Sequence, residues 1–415
     1  MDFTALHRLL GRVPAPFTDD LVEEAVANGL AETDDLDWKS ELPPAKGLMQ
    51  TDFPKDVAAM ANSGGGTIVY GVEESQKSAT GRCDVGELSE GHERTLRSAA
   101  VTAITPPVFG LDIHPLGQPD CRAVAVVVPA SVDGPHLIYR GEYFGAPIRN
   151  DADTVWMKER QIEAMYRTRF DERRHATEAT TNLYDDAAAG RDIQTRAWLI
   201  AVAHPRMPAV GQGRLPREDA RKILERGGTH ALQYASRKGI HPIESVDRLN
   251  PRPGLRRWIA PNTATGNSLW KEAWASVHHD GSATLATAIG GHRTRDGHHP
   301  GERIESSGIE CAIADFMGLI RAVSEHVATS EYEVRVGIEW SGGEPLVIET
   351  VDPHGFAFDG HSLPIARYAS VAATVIADAD RESFARQVHD LAQDCVNQGG
   401  IMNVRLIGLP SGDAA

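Results

Sequence analysis

The sequence predicts an α+β fold in more than one domain, and three observations support this prediction. Apolar residues recur at helical spacing over residues 53–61, three glycines stop the pattern, and a β-branched and aromatic run, 67–72, follows as a strand. Further along, residues 309–327 repeat apolar side chains at helical spacing, and residues 332–340 alternate as a half-buried strand. At 415 residues the chain also exceeds what one hydrophobic core usually holds.

The other N-terminal elements follow from local signals along the chain. Thr18 can cap a helix from Asp19 to about Asn28, and Leu36 to Ser40 has the composition of a short strand. The polar, turn-rich tract from Glu74 to Glu93 predicts a surface loop. The remaining predicted elements are a helix over 92–104, strands over 122–128 and 137–144, and a helix over 159–169.

A domain boundary is predicted where hydrophobic periodicity is lost. This places a first domain at residues 1–170, a linker at 171–195 and a second α+β domain at 196–415. In the second domain a helix over 217–225 should end before Gly227-Gly228, and a hairpin over 275–288 should turn at Asp280-Gly281. No catalytic motif identifies the activity of this second domain.

Composition limits the function and the compartment. The net charge of −16 argues against a general coating of nucleic acid, although 34 of the 42 basic residues are arginine, which favours bidentate phosphate contacts in a local groove. No apolar run is long enough to span a membrane, and residues 1–11 lack an export signal. Four scattered cysteines predict neither a zinc site nor a disulfide framework. A cytoplasmic protein without membrane contact is expected.

The triple glycine Gly64-Gly65-Gly66 does not predict a nucleotide site. Phosphate-binding glycine loops run from a strand into a helix and use the positive end of the helix dipole. Here the glycines follow a helix and precede a strand, so the wrong end of the dipole faces them. A structural turn is predicted, and no nucleotide is expected as a cofactor.

Three segments together resemble a known family. They are Glu32-Thr-Asp-Asp-Leu-Asp37-Trp-Lys39, the stretch FPKDVAAMANSGGGTIVYGVEE at 53–74, and PHLIYRGEYFGAPIR at 135–149 with Thr154 and 159–163 after it. This pattern is similar to the Schlafen-type AlbA domain, as in bacterial Schlafen-like proteins, over about residues 20–170. One departure is visible, because Asp151 stands where the family usually has a glycine. The resemblance implies a mixed sheet with flanking helices.

The resemblance also implies site residues. In relatives that cut RNA, three catalytic acids occupy the positions of Glu32, Asp37 and the acid after the Gly-Val dipeptide, here Glu73, with Glu74 open as the alternative. A carboxylate cluster is what Mg²⁺ or Mn²⁺ requires, and no zinc is expected. Lys39 and Arg149 would contact phosphate. The implied function is a metal-dependent endoribonuclease acting on structured RNA such as tRNA, in defence or stress response, and related domains often pair as homo-oligomers.

A second interpretation stays open from the sequence. The same fold can bind DNA or RNA without cutting it, while the C-terminal domain senses a ligand or a partner. The acidic charge balance and the lack of a basic stripe favour this interpretation. The complete set of three acids favours the nuclease, with RNA expected ahead of DNA as the partner.

Overall fold

The computed structural model describes residues 3–206, 214–265, 271–291, 300–327, 329–351, 357–358 and 362–408. The chain divides into two compact units, Met1–Arg173 and Arg174–Ala415. Both contain helices and sheets, so the predicted α+β class is confirmed.

The first unit contains short strands and four complete helices. The helices are α1 (Ala5–Leu9), α2 (Asp19–Ala27), α3 (Phe53–Asn62) and α4 (Glu90–Thr102), with a 3₁₀ turn at Leu48–Gln50. The strands are β1 (Leu36–Lys39), β2 (Gly66–Tyr70), β3 (Val72–Ser75), β4 (Ser78–Arg82), β5 (Ile104–Thr105), β6 (Asp112–Leu116), β7 (Ala123–Val128), β8 (Leu137–Arg140), β9 (Tyr143–Gly145), β10 (Pro147–Asn150) and β11 (Asp153–Trp156).

The central sheet of the first unit has the order β1-β2-β7-β6, and only β1 and β2 are parallel. One face packs against α3 and α4 through residues such as Met60, Ile68 and Leu96. The other packs against α1 and α2 through residues such as Trp38 and Val22. This sheet is mixed and flanked by helices, as predicted. Short strands carrying apolar side chains on both faces suit such a doubly covered position.

Two hairpins in this unit differ from the sequence prediction. The tract predicted as a loop contains the β3–β4 hairpin, whose two turn residues, Gln76 and Lys77, both have positive φ. A two-residue turn of this kind usually has the sequence Asn-Gly or Asp-Gly, and this tract has neither. The single strand predicted over 137–144 is the β8–β9 hairpin, broken by Gly141 and Glu142. A third hairpin, β10–β11, follows it.

A long helix, α5 (Glu159–Ala188), runs from the first unit into the second. Most of the stretch predicted as a linker, 171–195, is therefore helical, and the division between the units falls inside the helix. The sequence of this stretch shows no amphipathic pattern. A helix that buries little apolar surface needs no apolar stripe, so periodicity could not reveal it.

The second unit is built around one large sheet. Its further strands are β12 (Trp198–Pro205), β13 (Arg252–Gly254), β14 (Arg257–Ala260), β15 (Ala273–His278), β16 (Ala283–Ala288), β17 (Arg303–Glu305), β18 (Glu331–Glu339), β19 (Val347–Val351), β20 (Ala357–Phe358) and β21 (Val371–Ile376). Its helices are α6 (Arg217–Tyr234), α7 (Ser306–Val327) and α8 (Arg381–Asn397), with a 3₁₀ turn at Pro242–Ser245.

Seven strands of this unit form an antiparallel sheet in the order β13-β14-β15-β16-β12-β18-β21. The predicted hairpin turn at Asp280-Gly281 joins β15 to β16, and Gly281 has a φ of +88°. The predicted end of a helix before Gly227 is wrong, because α6 continues through it. A Cβ at Gly227 would lie 3.1 Å from the Leu319 Cα of α7, so this glycine allows close helix packing and is not a stop.

Candidate functional site

Strand β1 brings Asp37 and Lys39 together. Alternation along the strand places both side chains on one face, while Trp38 points into the core and is 1% exposed. The Lys39 Nζ lies 2.6 Å from Asp37 Oδ2. Asp37 is 2% exposed at its side chain, but Lys39 is 39% exposed. The pair therefore holds a cation at the surface with a buried carboxylate beneath it.

Arg149 supplies a second cation to the same carboxylate from strand β10. Its Nη1 donates to Asp37 Oδ1 at 3.1 Å and to Thr154 Oγ1 at 3.3 Å, and its Nη2 donates to the Thr33 carbonyl at 3.2 Å. The arginine side chain is only 3% exposed. In this structure its guanidinium joins β10 to β1 instead of facing solvent, whereas the sequence predicted a phosphate contact.

Glu32 lies beside this group and is buried. Its Oε1 accepts the Trp38 backbone N–H at 3.0 Å, and its own N–H donates to the Lys77 carbonyl at 2.7 Å. Burial raises the pKa of the Glu32 carboxyl from 4.5 to about 7, and the negative charges of Asp37 and Glu74 add to that rise. Near neutral pH this carboxyl is thus partly protonated.

The two acids after the Gly-Val dipeptide take different positions. The β3–β4 register shifts between Glu73 and Glu74, and a bulge of this kind re-aims neighbouring side chains. Burial raises the pKa of the Cys83 thiol, and the charge of Glu73 adds to that rise. The charge of Glu74 instead adds to the rise that burial causes in the pKa of Glu32. Of these two exposed acids, Glu74 is the one that acts on the Asp37 group.

Asp56 is a further acid of the site that the sequence analysis missed. It lies in the first turn of α3, is 6% exposed, and has its pKa raised to about 6 by burial and by the charge of Asp37. Lys39 and Lys55 oppose that shift. The available signal was its position, because Asp56 comes three residues after Phe53 and four before Met60 and so lies on the apolar stripe of α3.

The predicted metal ligands do not fit a divalent ion as they are arranged. Both Asp37 oxygens face cations, Glu32 accepts a backbone N–H, and Glu73 acts on Cys83. Within the described ranges, no three His, Cys, Asp or Glu side chains form a group that could hold a metal. Carboxylates already neutralised by Lys and Arg have less to gain from Mg²⁺ or Mn²⁺.

The triple glycine forms the predicted turn from α3 into β2. Gly64 and Gly65 have φ values of +96° and +91°. A Cβ at Gly65 would lie 2.7 Å from the Ala130 backbone nitrogen, so the turn is packed directly against the chain after β7. A cleft of about 540 Å³ opens beside it, where Arg8 is paired with Asp35 at 2.6 Å. The order helix, glycines, strand is confirmed.

The family departure at Asp151 also has a structural explanation. This residue lies in the turn between β10 and β11 and has a φ of +59°. Glycine reaches that conformation freely, and Asp tolerates it better than most other residues. The hairpin that carries Arg149 is therefore kept without the family's glycine.

Residues 32–158 match the family model described as Schlafen, AlbA_2. The chain carries an N-terminal Schlafen-type AlbA domain. The match includes Glu32, Asp37, Lys39 and Arg149. The match to this family model points to a nucleic-acid-related function for residues 32–158. No curated protein matches the chain.

Two solved structures show weak similarity. A crystal structure of a Corynebacterium diphtheriae protein is 17% identical, with a TM-score of 0.25, over 49% of this chain and 33% of that one. The solution structure of the N-terminal domain of a putative ATP-dependent DNA helicase RecG-related protein from Nitrosomonas europaea is 15% identical, with a TM-score of 0.25, over 34% of this chain and 90% of that one. The chain thus spans about a third of the length of the first structure.

Among the helices of the described ranges, none combines the length and the apolar character that crossing a bilayer requires.

Proposed function

We propose that the AlbA domain binds nucleic acid through its phosphate backbone, RNA in preference to DNA, with Lys39 as a phosphate contact. The observation that supports this is the pairing of a half-exposed Lys39 with the buried Asp37. The pKa of the Lys39 ammonium is raised by Asp37 despite the opposing effect of burial, so the cation stays charged at physiological pH. The preference for RNA comes from the family resemblance.

The charges around Lys39 explain how an acidic protein can accept a phosphate there. Arg149 and Lys39 carry two positive charges around the buried Asp37, and the Lys55 Nζ lies 3.9 Å from Oδ1 of Asp56, the other buried aspartate of the site. Protonation of Glu32 near neutral pH removes a further negative charge. A phosphate oxygen approaching Lys39 then meets an exposed ammonium, and the charge of the buried Asp37 beneath it is offset by Arg149, although the whole chain carries −16.

Binding would be measured by fluorescence anisotropy with labelled tRNA, single-stranded RNA and duplex DNA at several salt concentrations. Lys39→Gln should weaken binding to all of them and lower the slope of log K against log salt by about 1, as expected for a lost phosphate contact. Lys222→Gln is the matched control, because Lys222 is also paired with an aspartate, at 3.2 Å, but lies in the second unit. Equal effects of the two changes would refute the assignment.

A second candidate function is cleavage of structured RNA such as tRNA by Glu32, Asp37 and Glu73 with Mg²⁺ or Mn²⁺, in defence or stress response. One observation favours it: burial raises the pKa of Glu32, the charges of Asp37 and Glu74 add to that rise, and mutual repulsion of carboxylates is what a divalent cation relieves. The ion pairs of Asp37 with Lys39 and Arg149 support binding more directly than cleavage, because they leave its carboxylate less available to a divalent ion.

Cleavage is tested by incubating the purified full chain with tRNA in Mn²⁺ or in EDTA. Glu73→Gln and Glu74→Gln form a matched pair on adjacent exposed positions of β3. If Glu74 is the third acid, only Glu74→Gln should abolish a metal-dependent activity. Activity in EDTA, or activity unchanged in both variants, would contradict this candidate.

We further propose that the second unit acts as a ligand- or partner-sensing domain. Its support is a cleft of about 760 Å³ beside β18, where the Arg335 guanidinium lies 4.5 Å from the centre of the Tyr184 ring and donates to Ser370 at 3.2 Å. Thermal unfolding of the full chain with and without candidate anions, compared with Arg335→Gln, tests this role.

A further inference from the structure

The β8–β9 hairpin and its neighbour β11 carry an unusual set of exposed aromatic side chains. They are Tyr139, Tyr143, Phe144 and Trp156, which we call the aromatic platform, and they are 56%, 79%, 60% and 50% exposed. Most large aromatic residues of a soluble domain bury most of their surface, so four exposed rings close together in the chain indicate an interaction surface.

The register places these rings on both faces of the hairpin. Tyr139 is directly opposite Phe144, and their ring centres are 5.7 Å apart. Tyr143 is one residue from Phe144 and so points to the other face. Trp156 covers that second face, because a Cβ at Gly145 would lie 2.7 Å from the Trp156 ring.

The outer part of the hairpin is a ribbon of two strands. Strand β5 pairs with Leu137 and Ile138, which leaves the pairs from Tyr139 outward with β9 alone. A two-stranded ribbon with apolar rings on both faces gains little stability from its own packing. The rings are therefore better placed to insert into a partner than to stabilise the domain.

The charges beside the platform favour nucleic acid as that partner. Lys158 and Arg160 follow Trp156 closely, are exposed, and form no ion pair with any residue that the structure describes. Two exposed acids, Glu142 and Glu159, lie in the same segments, so these cations supply only part of the attraction for phosphate. The chain continues from β9 through Ala146 into β10, which carries Arg149 to the Asp37 group. On a chain with a net charge of −16, backbone attraction alone is limited, so stacking can supply the affinity that cations do not.

We infer that the aromatic platform stacks unpaired bases, so that the AlbA domain selects single-stranded segments of nucleic acid, including the loops of structured RNA. This inference rests on the proposed function and adds that the unpaired base is the part of the nucleic acid that the domain recognises. Stacking is tolerant of sequence because every base has a flat aromatic face, and aromatic side chains reach bases only where these are not paired. Lys158 and Arg160 would hold the adjacent phosphates.

The test compares three labelled ligands with the full-length protein. They are a single strand of about 12 nucleotides, the same length of abasic strand, and the duplex. The abasic strand keeps the phosphate charge and lacks bases. The inference expects the single strand to bind at least about tenfold more tightly than the abasic strand at equal salt.

Variants then locate the effect. Tyr143→Ala and Phe144→Ala should each weaken single-strand binding about tenfold and leave abasic binding unchanged, and Tyr143→Phe should restore it. Phe109→Ala is the matched control, since Phe109 is 49% exposed but lies between β5 and β6. Thermal unfolding of the variants should not change, because the replaced rings are exposed.

The outcomes separate this inference from the proposed function. If the parent protein binds the single strand and both alanine variants bind it equally well, the platform inference is wrong and the proposed function stands. If the parent binds none of the ligands, both are wrong. If the variants keep their affinity but change from dimer to monomer in light scattering, the platform is a protein interface and the inference is overturned.

Discussion

Replacing Asp37 with asparagine should lower the free energy of unfolding of the first unit by about 3 kcal/mol, because it removes the carboxylate charge that pairs with the buried Arg149. Asp37 and Arg149 are 2% and 3% exposed at their side chains, and the Asp37 Oδ1 is 3.1 Å from Arg149 Nη1. In the variant the Arg149 guanidinium stays buried without its charged partner, and exposing it to water would require β10 to move.

The magnitude follows from comparing the two ion pairs of Asp37. Removing one partner of a buried ion pair typically costs about 3–5 kcal/mol. The asparagine oxygen can still accept from Arg149, which places the expected loss at the low end of that range. Lys39 is 39% exposed and can turn to solvent, so Lys39→Met should cost only about 1 kcal/mol or less.

Urea titrations followed by hydrogen exchange of peptides covering β1 and β2 would measure this loss in the full chain, apart from the second unit. A double-mutant cycle with Arg149→Met provides the control, because a buried pair should show a coupling of about 2 kcal/mol or more. A loss below about 1 kcal/mol, or costs that simply add, would refute the reasoning. Loss of RNA cleavage in Asp37→Asn therefore cannot by itself identify a catalytic carboxylate.

The remaining predictions concern the glycine turn, pH and the division of the chain. Gly64→Ala and Gly65→Ala both place a side chain at positive φ, but only the Cβ at Gly65 would meet backbone atoms. Gly65→Ala should therefore lower the melting temperature clearly more than Gly64→Ala. Equal shifts in melting temperature would contradict the packing at Gly65. Glu32 has a folded pKa of about 7, above its ordinary 4.5, so the folded state retains the proton and the stability of the first unit should fall as pH rises from about 4.5 to 7, by at most about 1.4 kcal/mol per pH unit. Urea midpoints across that range should therefore decrease, and the decrease should be smaller in Glu32→Gln, where the raised pKa of Asp56, about 6, still contributes. Limited proteolysis should first cut within 171–195, at the turn residues that follow the end of α5 at Ala188, and mass spectrometry of stable fragments that end elsewhere would contradict that boundary.

Local periodicity explains which parts of the fold the sequence predicted well. Helix α3, the triple-glycine turn and strand β2 were predicted within a residue or two, since helical spacing, glycine conformation and β-branched runs act over a few neighbouring residues. The shared face of Asp37 and Lys39 also followed from the alternation of a strand. The same local rules missed Gln76-Lys77 as a turn and read Gly227 as a stop, because hairpin pairing and helix contact override residue preference.

The amino-acid sequence by itself determined the α+β class, the AlbA domain and the identity of the charged residues at its site. Tertiary structure alone decided what those charges do. Arg149 is 112 residues from Asp37 along the chain and reaches it only because β10 packs beside α3 and β1, and a shift in register separates Glu74 from Glu73. Burial sets the pKa of Glu32, and long-range contacts set the ion pairs of Asp37. Neither follows from the spacing of neighbouring residues in the sequence.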